Sequence, residues 1–557
     1  MKRTKFLTII VAVIVILAGV FAACRPVGPD YKITLNPDKP LTVEVGDEID
    51  YTQYFIVKDR YGNRIVVTED MLDLRNADTS TPGSFTVTLK IGNSKLSAKF
   101  TVVPKDGGGT STPSETMGKQ TYDAATFDGE TLQDKLLKVE GMIGLPSTGD
   151  INALVVPVQF SGDIITDEQL TKLDKAFNGS AADTGWESVR TYYQKASYGK
   201  LNLSFDIQSV YQAKKNAAYY ESYSQSYKQN GQTYTRTGEE VVLTEVLSYY
   251  ERILDLTKYD TNKDGAIDAV YLIYSAPVDY YEGDFFWAYT TWYFGSNTYD
   301  GLDTYYYFFA GFDFMDESTV NDPGSGYAEI PGLKINAATY IHETGHLLGL
   351  DDYYDYETSS GSDEGLGGAD MMDYTVGDQN VYSKIMLGWL TPEVVNESRT
   401  VTIQSSCSNA SAILIPLDFD NSYFCEYFLI DLYAAQELNA LHASVSDTLL
   451  YDGASYGVRI YHVSSWINNP FDNDYGSFTD YNNTSTAIPL IKLVEADGEK
   501  KFKSSGGYAS QTDLWKARGS LSGIFPEYTR NDGKKLNFNI TIGSVSATSA
   551  SITVTFK

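Results

Sequence analysis

The stretch His342-Glu343-Thr344-Gly345-His346-Leu347-Leu348-Gly349-Leu350-Asp351-Asp352 constrains this chain more than any other, and it holds two of the four histidines in the sequence. On an α-helix, positions i and i+4 share one face about one turn apart, so His342 and His346 can turn two imidazole nitrogens toward one metal ion. Glu343 follows the first histidine, within reach of a water beside that metal, and is the candidate general base. Gly349 permits the left-handed backbone that ends a helix, and the reversal brings a residue just beyond it back toward the histidines. Asp352 occupies that place. A histidine pair at this spacing is otherwise a pair of polar surface residues; the glycine and the following acid favour the metal site. The expected helix starts near Asn336 as cap and ends at Gly349, with Ala338, Ile341, Gly345 and Leu348 facing inward.

A chain of 557 residues exceeds one ordinary domain, and 42% hydrophobic residues can build several cores. Acidic residues outnumber basic ones 73 to 43, a formal charge of −30 that repels phosphate and argues against nucleic acid as a partner. Tyrosine occurs 44 times and cysteine three times, so no disulfide framework holds the fold. Cys407 and Cys425 are candidates to pair in an exported protein, which spacing alone leaves open.

Lys2, Arg3 and Lys5 precede an uncharged, mostly apolar run, so residues 1–23 read as a signal peptide. Phe21-Ala22-Ala23-Cys24 resembles the lipobox of bacterial lipoproteins, although phenylalanine stands where leucine is usual. Cys24 is then the lipidated first residue, anchoring the chain to a membrane. An uncleaved anchor and ordinary secretory cleavage are the competing readings, and all three place the rest outside the cytoplasm.

Residues 24–104 combine this N-terminus with an all-β module. Residues 85–91 alternate, Gly92-Asn93-Ser94 supplies a turn, and Leu96, Ala98, Phe100 and Val102 alternate again, which predicts a hairpin with one buried face. The module resembles bacterial surface immunoglobulin-like domains, with a spacer role. Residues 105–118 are a flexible linker by composition. From 119 to 390 the pattern is mixed α and β. Residues 154–158 suit a buried strand, with Pro157 pointing to an edge or a bulge. Trp186, Val189, Tyr192, Tyr193 and Ala196 predict a helix capped by Asp183 or Thr184, and Leu201, Leu203, Phe205 and Ile207 a strand. A second helix over 239–254 places Val242, Val246, Tyr249 and Ile253 on one side. The aromatics at 285–310 read as core or sheet surface. Residues 391–557 return to β structure, with alternation at 536–542 and 552–556 that suggests a sandwich.

The loop Asp260-Thr261-Asn262-Lys263-Asp264-Gly265-Ala266-Ile267-Asp268 matches the start of a calcium-binding loop, with oxygen side chains at positions one, three, five and nine and glycine at six. Tyr271 stands where an EF-hand has its bidentate glutamate. A structural Ca2+ loop bound by Asp260, Asn262, Asp264 and Asp268 is favoured over a plain turn.

After the acidic loop 351–364 comes Gly368-Ala369-Asp370-Met371-Met372-Asp373-Tyr374. The glycine-containing metal motif followed by a methionine turn resembles the metzincin metallopeptidases, and in detail the bacterial immune inhibitor A family. The resemblance covers roughly residues 140–500. Besides the two motifs and the calcium-like loop, it is carried by 192–201, by Ser383-Lys384-Ile385-Met386-Leu387-Gly388-Trp389-Leu390, and by Gly457-Val458-Arg459-Ile460-Tyr461-His462-Val463. It implies a multidomain protein with an α/β metzincin-like catalytic domain, flanked by an N-terminal immunoglobulin-like β module and a C-terminal β-sandwich. It also implies Zn2+ held by His342, His346 and Asp352, with Met372 as the turn methionine beneath the metal. Tyr374 matches a tyrosine that astacins place near the metal to steady the transition state. Glu364 is the main rival third ligand, eighteen residues after His346, roughly where thermolysin-like enzymes put a glutamate. Those enzymes continue one long helix and lack the Gly349 turn, so Asp352 is preferred, with Asp351 and Asp355 as weaker alternatives. His442 lies far along the chain, and His462, inside an apolar strand, reads as a packed histidine.

The expectation is an extracellular, surface-anchored zinc endopeptidase acting on protein or peptide substrates. Zinc lowers the pKa of a water, and Glu343 takes the proton and passes it to the leaving amine. The alternative is a catalytically weak surface adhesin built on a metalloprotease domain; the complete ligand set, base and methionine turn argue against it. Phe127-Asp128-Gly129-Glu130 resembles the acidic inhibitory motif of astacin prosegments and is the candidate latency element.

Overall fold

Residues 83–103 form the hairpin that their alternation predicts: Gly83–Ile91 pairs antiparallel with Ser94–Val103, and Phe85, Val87, Ala98 and Phe100 are buried. The computed structural model describes residues 31–103 and 131–557, except 36–40, 47–48, 60–63, 76, 82, 92–93, 136–143, 230–231, 278–284, 294, 317–331, 356–364, 374–375, 418–422, 441, 443–448, 451–454, 467–482, 484–487, 500–501 and 503–508. The signal segment with Cys24, the linker, the motif at 127–130, Glu364 and Tyr374 lie outside the described residues. The chain divides into two compact units, Met1–Gln120 and Thr121–Lys557.

In the first unit the hairpin is extended by Thr42–Glu44 and Leu72–Asp73, and a second sheet joins Tyr31–Leu35, Phe55–Asp59 and Arg64–Ile65. The hairpin's alternate side chains meet Val43, Phe55 and Val57 in one small core.

The second unit opens with strands Gly149–Gln159 (β1), Leu201–Ile207 (β2), Val270–Tyr274 (β3), Tyr289–Trp292 (β4) and Tyr306–Gly311 (β5). β1, β2, β3 and β5 run parallel, and β4 closes the sheet antiparallel to β5. Side chains alternate between the two faces of a strand. Ala153, Val155, Tyr271 and Ile273 therefore pack with Phe177 of helix Asp167–Asn178 (α1) and Tyr192 of helix Val189–Ala196 (α2). Leu154, Val156, Val270 and Leu272 pack on the other face, against Val242 and Val246 of helix Gly238–Tyr250 (α3).

Three local expectations are corrected. Pro157 is neither at an edge nor in a bulge, since β1 is paired on both sides and Pro157 stands in register with Ile273. Val155 O accepts from Gln208 N at 2.9 Å, and Pro157 faces the same side, where β2 has ended and the short strand Tyr211–Gln212 is only beginning. Its missing N–H falls at that break. The cap of α2 is Ser188, whose Oγ accepts from Thr191 N at 3.2 Å. Asp183 is engaged with Ser180 at 3.0 Å, in the short helix Ala181–Thr184 that Gly185 terminates. On α3, Tyr249 is 43% exposed, because Leu243, Leu247 and Tyr250 complete the buried face with Val242 and Val246, and Ile253, 57% exposed, lies beyond the helix, which ends at Tyr250 rather than at 254.

Ser224–Gln229 pairs with Gln232–Thr237 as a separate hairpin, and the strands from Glu393 onward form two sheets. One is ordered Glu393–Val394, Ile413–Pro416, Glu426–Ala434, Tyr456–Ser464, Ile491–Leu493, and the other Arg399–Gln404, Ser549–Phe556, Phe538–Val545. Ile403, Ile413, Ile430, Ile540 and Val554 fill the space between them. The opposite face of the larger sheet, with Leu414, Tyr427, Leu429 and Tyr461, joins the α/β core that contains Met372 and Trp389. Cys407 and Cys425 are both buried and form no disulfide with each other. Cys407 Sγ instead donates to Ala434 O at 3.3 Å and accepts from Asn439 Nδ2 at 2.9 Å. His462 is packed as expected, stacked on Phe428 and paired with Glu426 at 2.8 Å. Among the described residues no helix is long and apolar enough to cross a membrane.

Candidate metal centre

Helix Ala338–Leu347 (α4) carries both motif histidines. Asn336 serves its start by accepting the Ala338 N–H at 2.9 Å. Its end follows from Gly349, at φ 94°: Gly349 N donates to His346 O at 2.9 Å and Leu350 N to Gly345 O at 3.0 Å. This pair of bonds is the Schellman termination that glycine favours. The reversal brings the Leu350 carbonyl back to His346 Nδ1 at 2.9 Å, and the Met371 carbonyl meets His342 Nδ1 at 2.8 Å. With each Nδ1–H donating to a carbonyl, each Nε2 is left as the ligand atom.

The two Nε2 atoms converge on Asp352. Its Oδ1 lies 2.9 Å from His342 Nε2 and 3.5 Å from His346 Nε2. Tetrahedral zinc at roughly 2.0–2.2 Å from its ligands would hold such atoms about 3.4 Å apart. Ligand atoms of His342, Glu343 and His346 also lie within 4.8 Å of one another, which makes them a possible metal-binding group. His342, Glu343 and Asp352 are buried and His346 is half-buried. Glu343 Oε2 is buried with no hydrogen-bond partner, a condition that costs free energy unless a cation or water answers it.

Electrostatics point the same way. Burial opposes the charged form of Asp352, but the adjacent His346 and His342 outweigh it and hold the carboxyl well below its usual range. Burial likewise works against protonated His346, yet Asp352 and Glu343 push its pKa up to about 10, and His342 is raised by Asp352 in the same manner. Burial raises Glu343 while the two imidazoles pull the other way. Two carboxylates thus favour positive charge at the imidazole edge, and a divalent cation supplies it where the histidines are neutral.

Of the other acids, Asp351 uses Oδ1 to accept the Asp352 N–H at 2.9 Å, and Asp355 is buried. A Cβ on Gly345 would overlap the Met372 sulfur, so the methionine lies directly against the helix between the two histidine turns. Met372 O accepts from Tyr353 N at 2.7 Å, beside Asp352. The 260–268 loop lies apart from this group. Asp260 accepts from Asp264 N at 3.0 Å and Gly265 N at 3.2 Å, and Asp264 from Ala266 N at 3.1 Å, with Lys263 and Gly265 at positive φ. Asn262 Oδ1 accepts from Asp264 N at 3.2 Å. Burial, reinforced by Asp264 and Asp260, pushes Asp268 up to about 6, and its Oδ1 has no hydrogen-bond partner.

Several supporting residues carry no local signal in the sequence. Thr290 on β4 donates to the Glu343 carbonyl at 2.9 Å, and Tyr193 on α2 to the Ile341 carbonyl at 2.6 Å. Tyr271 on β3 meets Thr344 Oγ1 at 3.2 Å. Each bond reaches across the core to fix α4.

No family model and no curated protein matches this chain. Among solved structures, it is similar to the crystal structure of metalloproteinase-II from Bacteroides fragilis at 11% identity and a TM-score of 0.19, over 64% of this chain and 89% of that one.

Proposed function

We propose that this chain is an extracellular zinc endopeptidase of the immune inhibitor A type, with His342, His346 and Asp352 holding the metal and Glu343 as general base. The observation that carries the reading is the meeting of two Nε2 atoms and Asp352 Oδ1 within 2.9 and 3.5 Å, beside the buried, unpartnered Glu343 Oε2. Bound zinc would supply Lewis acidity, lowering the pKa of a water and polarising the scissile carbonyl. Glu343, whose pKa burial raises, takes the water's proton. As the C–N bond breaks, the same carboxyl delivers that proton to the leaving nitrogen. The two Nδ1–carbonyl bonds keep the imidazoles oriented throughout.

Strand β4 supports a peptide as substrate. Among the described residues it ends the sheet order, the position from which a strand's outer edge can pair with an extended chain. Thr290 ties that edge to the residue that performs the proton transfer. Tyr374 as a transition-state donor, export with lipidation at Cys24, and the division at 104, 118 and 390 belong to the same proposal. Calcium at 260–268 is proposed on the orphaned Asp268 Oδ1, with Asp260, Asn262 and Asp264 as the other oxygen donors.

Digestion of casein by the zinc-loaded protein tests the reading. Cleavage should stop on chelation and return when zinc is added back. Zinc-loaded protein that binds but never cleaves any peptide would favour the adhesin alternative.

A further inference from the structure

The methionine turn holds a buried carboxylate that the proposed chemistry does not use. Asp370 is 1% exposed, and its oxygens accept three hydrogen bonds. Oδ1 takes the Met372 N–H at 3.0 Å, while Oδ2 takes the Asn380 N–H at 2.8 Å and the Asn380 Nδ2–H at 3.0 Å. The circuit closes through the site. Asn380 Oδ1 accepts from Ser383 N at 3.0 Å, capping helix Val381–Met386 (α5), and Ser383 Oγ meets Tyr353 OH at 2.6 Å. Tyr353 N returns to Met372 O at 2.7 Å.

This circuit touches all three ligands of the proposed centre. The Met371 carbonyl, between the two residues bonded through Oδ1, receives His342 Nδ1 at 2.8 Å. Tyr353 follows Asp352 directly, and the Met372 side chain lies on Gly345, one residue before His346. All the hydrogen atoms aimed at Asp370 come from donors, so an acceptor-only carboxylate suits the position. An amide there would set its own donor against those of Asn380.

We propose that Asp370 is a positioning residue for the metal centre: it fixes the Met371 carbonyl against His342 Nδ1 and so aims Nε2 at the metal. This rests on the zinc reading above. Partners one step outside the ligands commonly change metal affinity by about 10- to 100-fold, and Asp370 acts one step further still.

The test uses the full chain loaded with zinc, measuring the rate of zinc transfer to a chelator alongside the melting temperature. Asp370→Asn should release zinc about tenfold faster. Asn380→Ser, which keeps the helix cap and the N–H but removes the Nδ2 donor, should release it faster by a smaller factor and serves if Asp370→Asn does not fold. The double variant Asp370→Asn with Asn380→Asp gives the new amide donor a side-chain acceptor but leaves the backbone N–H of residue 380 facing it, so it should recover part of the retention lost in Asp370→Asn. Cobalt in place of zinc gives a second readout, because its visible bands report ligand geometry: they should shift in Asp370→Asn and return part of the way in the double variant. A lower melting temperature with unchanged zinc release and cobalt bands would overturn the proposal and leave the zinc reading intact. Wild-type protein that retains no zinc would instead remove the function on which it rests.

Discussion

Gly345 and Met372 are in contact at a point where any other residue would collide: a Cβ on the glycine would overlap the sulfur and the ε-carbon of the methionine. Alanine is favoured over glycine in a helix interior by about 1 kcal/mol, so the glycine is retained against local propensity. Gly345→Ala should gain that increment and lose about 1–3 kcal/mol to overpacking. The net expectation is a lower melting temperature with faster zinc release. A variant more stable than wild type with unchanged zinc retention would show that the methionine yields freely.

Thr290 couples the sheet edge to the site helix through its bond to the Glu343 carbonyl at 2.9 Å. Thr290→Val keeps the shape and deletes the donor, at a cost of about 0.5–1.5 kcal/mol. The kcat/KM for a peptide substrate should fall several-fold with zinc content unchanged. Equal kcat/KM in the two proteins would mean that the bond does not serve catalysis.

How much of this was legible beforehand follows from how far each signal travels along the chain. The histidine pair, Glu343, the Gly349 turn and the approach of Asp352 are contained within eleven residues, and the helix and its Schellman end realise them. The hairpin at 83–103 is equally local. Thr290, Tyr193 and Asp370 were not legible as parts of the site, because each acts through a backbone carbonyl that only the tertiary fold brings near. Pro157 was misplaced for a related reason: the break between two short neighbours that tolerates it is a property of the sheet. The exposed Tyr249 shows that apolar residues at helical spacing do not identify the buried face when a second stripe competes, and the exposed Ile253 lies past the helix end at Tyr250.

His442 makes stability depend on pH. Its Nε2 bonds the Val376 carbonyl at 2.6 Å and its Nδ1 meets Tyr433 OH, while burial lowers its pKa to about 4. Between pH 6.5 and 4 the unfolded chain therefore holds more protons at this residue than the folded one, and stability falls as pH falls. The loss from this residue approaches about 3 kcal/mol at the acid end. Asp370, pushed up to about 6 by burial, has the opposite slope, so the comparison must be with His442→Gln. Denaturant titrations across that range should show the wild type losing stability more steeply than the variant, and parallel profiles would refute the assignment.

The central claim is that Glu343 moves the proton at a metal held by its neighbours. Zinc content and peptide hydrolysis, measured together on wild type and Glu343→Gln, test it most directly. The variant should bind one zinc per chain as the wild type does, with turnover reduced roughly 10²- to 10⁴-fold. Hydrolysis at the wild-type rate by the zinc-loaded variant would contradict the account.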